Sequence, residues 1–234
     1  MKTIPKRAPR KISARIERKD LPVALVTGFE PFGGDARNPS REIALALDGE
    51  IIAAHRIVGA SLPTEFATAL PALRALLRKH RPTLVIALGL AGNSTQIALE
   101  RVAINLIDAR ISDNAGAQPV DIPVVRGAPA AYFTTLPVKA MLARLRHARV
   151  PASLSQSAGT FVCNQVFFGL AHILARRPDI RGGFIHVPSA RETLTGRSKA
   201  AGMPLATMRK AIRLCLDAAL NTVEDLRYAA GETQ

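Results

Sequence analysis

Tryptophan is absent from this 234-residue chain, and aromatic residues amount to only 4%: eight Phe and two Tyr. Cysteine is almost absent as well. Cys163 and Cys215 allow one bridge at most, so a disulfide scaffold is excluded and the fold must stand on packing. No uninterrupted apolar run approaches the ~20 residues that cross a bilayer, so no membrane partner is expected. The first twenty residues carry neither the apolar stretch nor the small-residue cleavage site of a secretory leader. Acids are scarce too, 18 against 32 Lys and Arg, which leaves a formal charge of +14. What is present is otherwise ordinary. A 48% hydrophobic and 21% charged composition excludes disordered and collagen-like chains and suits a globular protein with a substantial core.

The cations are unevenly placed. Residues 1–20 hold eight Lys and Arg against Glu17 and Asp20, and residues 1–21 are expected to form a basic, flexible extension ahead of one domain at 22–234. Elsewhere the cations alternate with apolar residues at helical spacing, as in 73–81 (LRALLRKHR) and 141–149 (MLARLRHAR), the pattern of solvated helix faces. Aromatics that would stack on bases are missing from these stretches. The charge therefore argues against a nucleic-acid partner, although contacts to a phosphate backbone stay open.

Short β-branched runs at 23–27, 51–58, 83–89, 102–107, 152–156 and 183–187 predict strands. Amphipathic spacing predicts helices at 40–47, 65–80, 138–149, 162–176 and 204–228. The alternation implies an α/β fold: a three-layer α/β/α sandwich around a twisted, mostly parallel, mixed sheet. The 108–136 stretch has little periodicity, and a loop of that length is expected to cover a site or an interface.

Three residues stand out chemically. Cys163 follows a small-residue turn, Ser157-Ala158-Gly159-Thr160, and falls in the first turn of a predicted helix. Free N–H groups there favour an anion, either a thiolate or an oxyanion developing on a carbonyl under attack. A buried structural thiol is the alternative, and Cys215, inside an amphipathic helix, is assigned to it. His186 ends the Gly-Gly-Phe-Ile-His strand, and sites in open α/β sheets gather at the carboxyl ends of strands. Among the five His it is the best-placed base. Glu100 enters an apolar strand, where an acid is costly unless paired. Against an imidazole it would fix the tautomer and stabilise the imidazolium; against Arg101 it would be an edge ion pair.

Several blocks in order carry a resemblance: Val26 to Gly34 (VTGFEPFGG) with Asn38-Pro39-Ser40, Gly89-Leu90-Ala91-Gly92, Glu100 to Asn105, Asp108 to Ile111, Gly127 to Phe133, Ser157 to Asn164, and Gly183 to Pro188. From about Val23 onward the chain resembles the type I pyroglutamyl peptidases, a family of cysteine peptidases. The resemblance implies removal of N-terminal pyroglutamate from peptides through a thioacyl-enzyme, with Cys163, His186 and Glu100 as nucleophile, acid–base and orienting acid. It further implies that Phe29 and Phe32 face the lactam ring, that Phe161 and Val162 stand beside the nucleophile, and that Asn38 orders the surrounding loop. A homotetramer, no cofactor and no metal are implied; the unpaired thiols point to a reducing cytoplasm.

Two positions depart from the family pattern. Asn93-Ser94 stands where members commonly carry an Arg, and Ala98 where Ser or Thr is usual. Two alternatives thus remain: a catalytically silent homologue, and a basic nucleic-acid-binding protein on the same scaffold. The GFEPFGG segment lacks both GxxxxGK[ST] and GxGxxG spacing and is not a phosphate loop.

Overall fold

The chain was obtained as a computed structural model describing residues 20–194 and 202–231, so nearly all of the expected basic extension lies outside the described residues. Its first strand, β1 (Val23–Phe29), leads to helix α1 (Pro39–Ala46). A hairpin of β2 (Ile51–Ile52) and β3 (His55–Leu62) follows, then α2 (Ala69–His80), β4 (Leu84–Leu90), β5 (Ile97–Glu100), and the short strands β6 (Val102–Ile104) and β7 (Ala131–Phe133). The chain continues through α3 (Val138–His147), β8 (Ala152–Ser155), α4 (Val162–Leu174), β9 (Arg181–Val187) and α5 (Leu205–Asn221). Seven strands form one sheet in the order β2-β3-β1-β4-β9-β5-β8, while β6 and β7 pair separately.

Strand alternation divides the core. Ala24, Val26, Ile86, Leu88, Ile185 and Val187 point to one face, where α1, α3 and α5 cover them with Ile43, Met141, Leu142, Ile212 and Leu216. Leu25, Phe29, Val85, Ala87 and Phe184 point to the other, under α2 and α4 with Leu70, Leu73, Phe167 and Leu170. Period-two residues buried on both faces make near-continuous apolar strands, as central parallel strands require. The result is the expected α/β/α sandwich. Parallel pairing links β3-β1-β4-β9 and β5-β8, and the antiparallel β9–β5 and β2–β3 pairs make the sheet mixed.

The strand expected at 51–58 is instead a hairpin. Ala53 and Ala54 turn the chain at φ 45° and 57°, a left-handed pair that sequence normally signals with Asn-Gly. Strand β5 lies outside the runs that predict strands, and β7 lies inside the stretch without periodicity. Both are three to four residues long and take their backbone partners from distant segments. The terminal helix ends at Asn221, not 228.

Candidate active site

Cys163 is the second residue of α4, whose N-cap, Phe161, offers no side-chain bond. The N–H groups of the first turn therefore have no intrahelical partner and point at the half-buried thiol's surroundings. Asn164, the next residue and fully buried, ties the helix start in place. Its Oδ1 accepts from the Ile104 N–H (3.1 Å), and its Nδ2 donates to the carbonyls of Ile104 (2.9 Å) and Leu106 (3.0 Å). The turn before the helix is pinned as well: the Thr160 hydroxyl donates to the Asp108 carbonyl at 2.7 Å. Asn164 and Thr160 carry no catalytic chemistry, and for that reason only the fold exposes their part in aiming the cysteine.

The sheet supplies the other two groups. In the antiparallel pair β5–β9, Ala98 lies opposite His186, so Glu100, two residues on, shares the face of His186 as its diagonal neighbour. The imidazole Nδ1 and Glu100 Oε1 are 2.8 Å apart, with both side chains buried. Glu100 Oε2 has no partner among the described residues. A buried carboxylate half-satisfied in this way is tolerable beside an imidazolium, and far less so beside a neutral ring. Burial alone would lower the pKa of His186, but the hydrogen-bonding and coulombic pull of Cys163 and Glu100 outweighs it and raises the value to about 9. The edge pairing with Arg101 that the sequence left open is not formed, since Glu100 turns to the histidine.

On its other side His186 neighbours Gly89 of β4. A Cβ at position 89 would stand 2.9 Å from Cys163 Sγ and 2.8 Å from the Phe184 ring. Glycine is required here for space, because the thiol lies over this rung of the sheet. Gly89→Ala is therefore expected to displace the sulfur or the ring. Turnover should fall by about 10²-fold with little loss of secondary structure, as checked by steady-state kinetics alongside circular dichroism.

Cys163 and His186 open into a pocket of about 260 Å³ walled by Phe29, Phe32, Phe161 and Leu90, with Asn38 and Thr64 as polar points. Phe161 packs against Phe32 (5.2 Å between centroids) and edge-on against Phe66 (5.1 Å), while Phe184 joins Phe29, Phe167 and the His186 ring. Three of the eight Phe thus line the recess, and Phe66, Phe184 and, through Phe184, Phe167 back them by ring contacts. Gly33 and Gly34, at φ 65° and 87°, fold the 30–38 loop back over it. Asn38 braces that loop, donating to the Glu30 carbonyl (3.0 Å) and accepting from Ser40 N (3.0 Å) and Oγ (2.8 Å). The long loop reaches the same place, because Asn114 Nδ2 donates to the Pro31 carbonyl (2.9 Å). Of the residues singled out in the sequence, Val162 alone turns away: its side chain is fully buried in the core beside α4 and lines no part of the pocket. Asp35, Arg37 and Thr64 line it without any signal in the sequence, and Leu90, quoted only within the Gly89–Gly92 block, joins them, all brought there by the loop and the strand ends. Ser94 is taken up in a local turn, accepting from Gln96 N (3.2 Å) and donating to the Gln96 carbonyl (2.9 Å). Among the described residues no group of three or more His, Cys, Asp or Glu could hold a metal.

The family model described as pyroglutamyl peptidase matches residues 23–222, which takes in every element of this fold and site. The chain belongs to the pyroglutamyl peptidase family. It is 50% identical to a pyrrolidone-carboxylate peptidase of Cupriavidus taiwanensis over 91% of this chain and 99% of that one. It is 46% identical to one of Escherichia fergusonii over 91% and 100%. Among solved structures, pyroglutamyl peptidase I of Bacillus amyloliquefaciens superposes with a TM-score of 0.85 at 42% identity, covering 88% of this chain and 100% of that one. The pyrrolidone carboxyl peptidase of Thermococcus litoralis does so with a TM-score of 0.85 at 38% identity, covering 89% and 100%. These pyroglutamyl peptidase structures share the α/β architecture, and the family is one of cysteine peptidases, which are hydrolases.

Proposed function

We propose that this pyroglutamyl peptidase family member removes N-terminal pyroglutamate from peptides through a thioacyl-enzyme formed on Cys163. The observation that carries the reading is the placement of Cys163 and the Glu100-paired His186 on the rim of one apolar, phenylalanine-walled recess. Pyroglutamate is a planar lactam without an ammonium group. A recess with apolar walls and few polar points suits it, whereas a free α-amine would be left desolvated there.

Cys163 passes its thiol proton to His186 and its Sγ adds to the scissile carbonyl carbon, and the resulting oxyanion is met by the N–H of Cys163 at the helix start. The C–N bond breaks as His186 gives its proton to the departing amine. Water, deprotonated by His186, then attacks the thioacyl carbon; the thiolate leaves and pyroglutamate is released. Glu100 holds the imidazole in register and offsets its positive charge through both stages. The same reading places the protein in a reducing cytoplasm as a homo-oligomer. Two free thiols support the first, and the second is what membership of the family implies.

The test is release of the fluorophore from pyroglutamyl-aminomethylcoumarin by the pure protein with added thiol. Turnover is expected, together with its abolition by iodoacetamide. Failure to cleave any pyroglutamyl substrate would overturn the reading and leave the catalytically silent homologue in its place.

A further inference from the structure

One wall of the recess is a loop with few ties of its own. Between Glu30 and Asn38 the chain carries Phe32, which packs on Phe161, and turns at Gly33 and Gly34. Both ends are anchored. The Glu30 N–H donates to the Leu62 carbonyl at 2.9 Å, and the Glu30 carbonyl accepts from Thr64 Oγ1 (2.9 Å) and Asn38 Nδ2 (3.0 Å). Residues 31–37 hold much less. The Asp35 N–H donates to the Phe32 carbonyl within the loop (3.2 Å), and Arg37 pairs with Glu42 through an exposed side chain. Among the described residues, the backbone of 31–37 is tied to another part of the chain by one hydrogen bond. It runs from Asn114 Nδ2 to the Pro31 carbonyl at 2.9 Å.

Asn114 is itself held in place. Its N–H donates to the Thr64 carbonyl at 3.1 Å. Asp113, just before it, is buried, and its carboxylate accepts from the N–H groups of Phe66 (2.7 Å), Ala115 (2.9 Å) and Ala117 (2.8 Å). Backbone bonds from the Asp113 N–H to the Ala117 carbonyl (2.9 Å) and from the Gly116 N–H to the Asp113 carbonyl (3.0 Å) close the turn. With its buried carboxylate satisfied by backbone donors, the turn is a fixed point. It joins three parts of the recess wall: Pro31, next to Phe32; Thr64, a polar point; and Phe66, edge-on behind Phe161.

We infer that the 113–117 turn is a clip that holds the Phe32 wall against the substrate's ring, and that Asn114 is a positioning residue for substrate binding. On the peptidase reading proposed above, the ring in question is the lactam. Asn114 lies outside the lining of the recess, and its side chain makes no hydrogen bond to α4, β5 or β9, which place Cys163, Glu100 and His186. A wall that meets the ring equally before and during attack supplies uniform binding, so loosening it raises KM and leaves kcat. The Asn114–Pro31 bond is exposed, and water can satisfy the carbonyl in its absence. The effect is therefore modest and the fold survives it.

The test uses Asn114→Ala and Asn114→Asp, which remove the donor but keep the backbone bond to Thr64, together with Phe32→Ala and the Phe32→Ala/Asn114→Ala double variant. Steady-state kinetics with pyroglutamyl-aminomethylcoumarin are paired with inhibition by 2-pyrrolidone, the bare ring. Each Asn114 variant is expected to raise KM about fivefold with kcat within about twofold of the wild type. The inhibition constant of 2-pyrrolidone should rise by the same factor, because the clip acts on the ring and not on the rest of the peptide. In the Phe32→Ala background, Asn114→Ala should lower kcat/KM by less than about twofold more, since the wall through which it acts is already gone. A KM within about twofold of the wild type, a fall in kcat in place of the rise in KM, or effects that multiply in full in the double variant overturn the clip while the peptidase reading stands. Wild-type protein that cleaves no pyroglutamyl substrate overturns that reading, and this inference with it.

Discussion

Cys163→Ala is expected to lower turnover of a pyroglutamyl substrate by at least ~10⁴-fold while the protein stays folded. The loss is large because no other group stands where the sulfur does. Cys215, the second thiol among the described residues, is fully buried in α5, and its burial pushes it away from thiolate. The residual rate would come from binding and from the N–H groups at the start of α4, which the substitution leaves in place. Stability should change little, since alanine suits a helix and the half-buried thiol faces the recess. Rates from single-turnover assays and a thermal melt on the same samples check both parts. A variant that kept a tenth of wild-type turnover would show that the nucleophile lies elsewhere.

Glu100→Gln is the second large effect, with an expected fall in kcat/KM of about 10²- to 10⁴-fold. Glutamine can still accept from Nδ1 at the same place, so the histidine keeps its position but loses the charge that sustains its protonated form. The pKa of His186, about 9 with both neighbours present, should fall toward the ordinary 6.5, as an NMR titration of the ring would record. The pH dependence of stability follows. The folded-state value lies above the unfolded one, so the His186 contribution is whole below pH 6.5 and is lost as the pH rises through about 9. In urea unfolding the wild type should therefore lose stability between these limits by on the order of 3 kcal/mol more than a chain in which His186 is not perturbed. In Glu100→Gln that slope should flatten. A variant with an unchanged slope and an unshifted His186 would show that the carboxylate does not govern the imidazole.

Much of the site was legible because its chemistry needs unusual residues in unusual settings. A thiol in the first turn of a helix, a histidine at a strand end and an acid in an apolar strand are each costly without a reason. In the structure the reason for the last two is a single 2.8 Å contact. Gly89, Asn164 and Asp35 had no such signature. Their parts come from a missing side chain, a backbone anchor and a place in the recess wall, all of them relations to residues far away in the chain. Val162 shows the converse. Being next to the nucleophile in sequence directs its side chain to the opposite side of the helix start, into the core.

The scarcity of aromatics takes its meaning from the same division. Composition and periodicity by themselves determined the α/β sandwich, because burying alternate residues on both faces of a parallel sheet leaves a period that can be read locally. They also determined that the fold rests on packing and not on disulfides. That three of the eight Phe line one recess, with three more in ring contact behind them, was decided only by the tertiary structure. So was the antiparallel β9–β5 pair that brings Glu100 to His186. The physical reason is range: hydrophobic period and helix capping act over a few residues, whereas strand order and register join segments 86 residues apart, as Glu100 and His186 are.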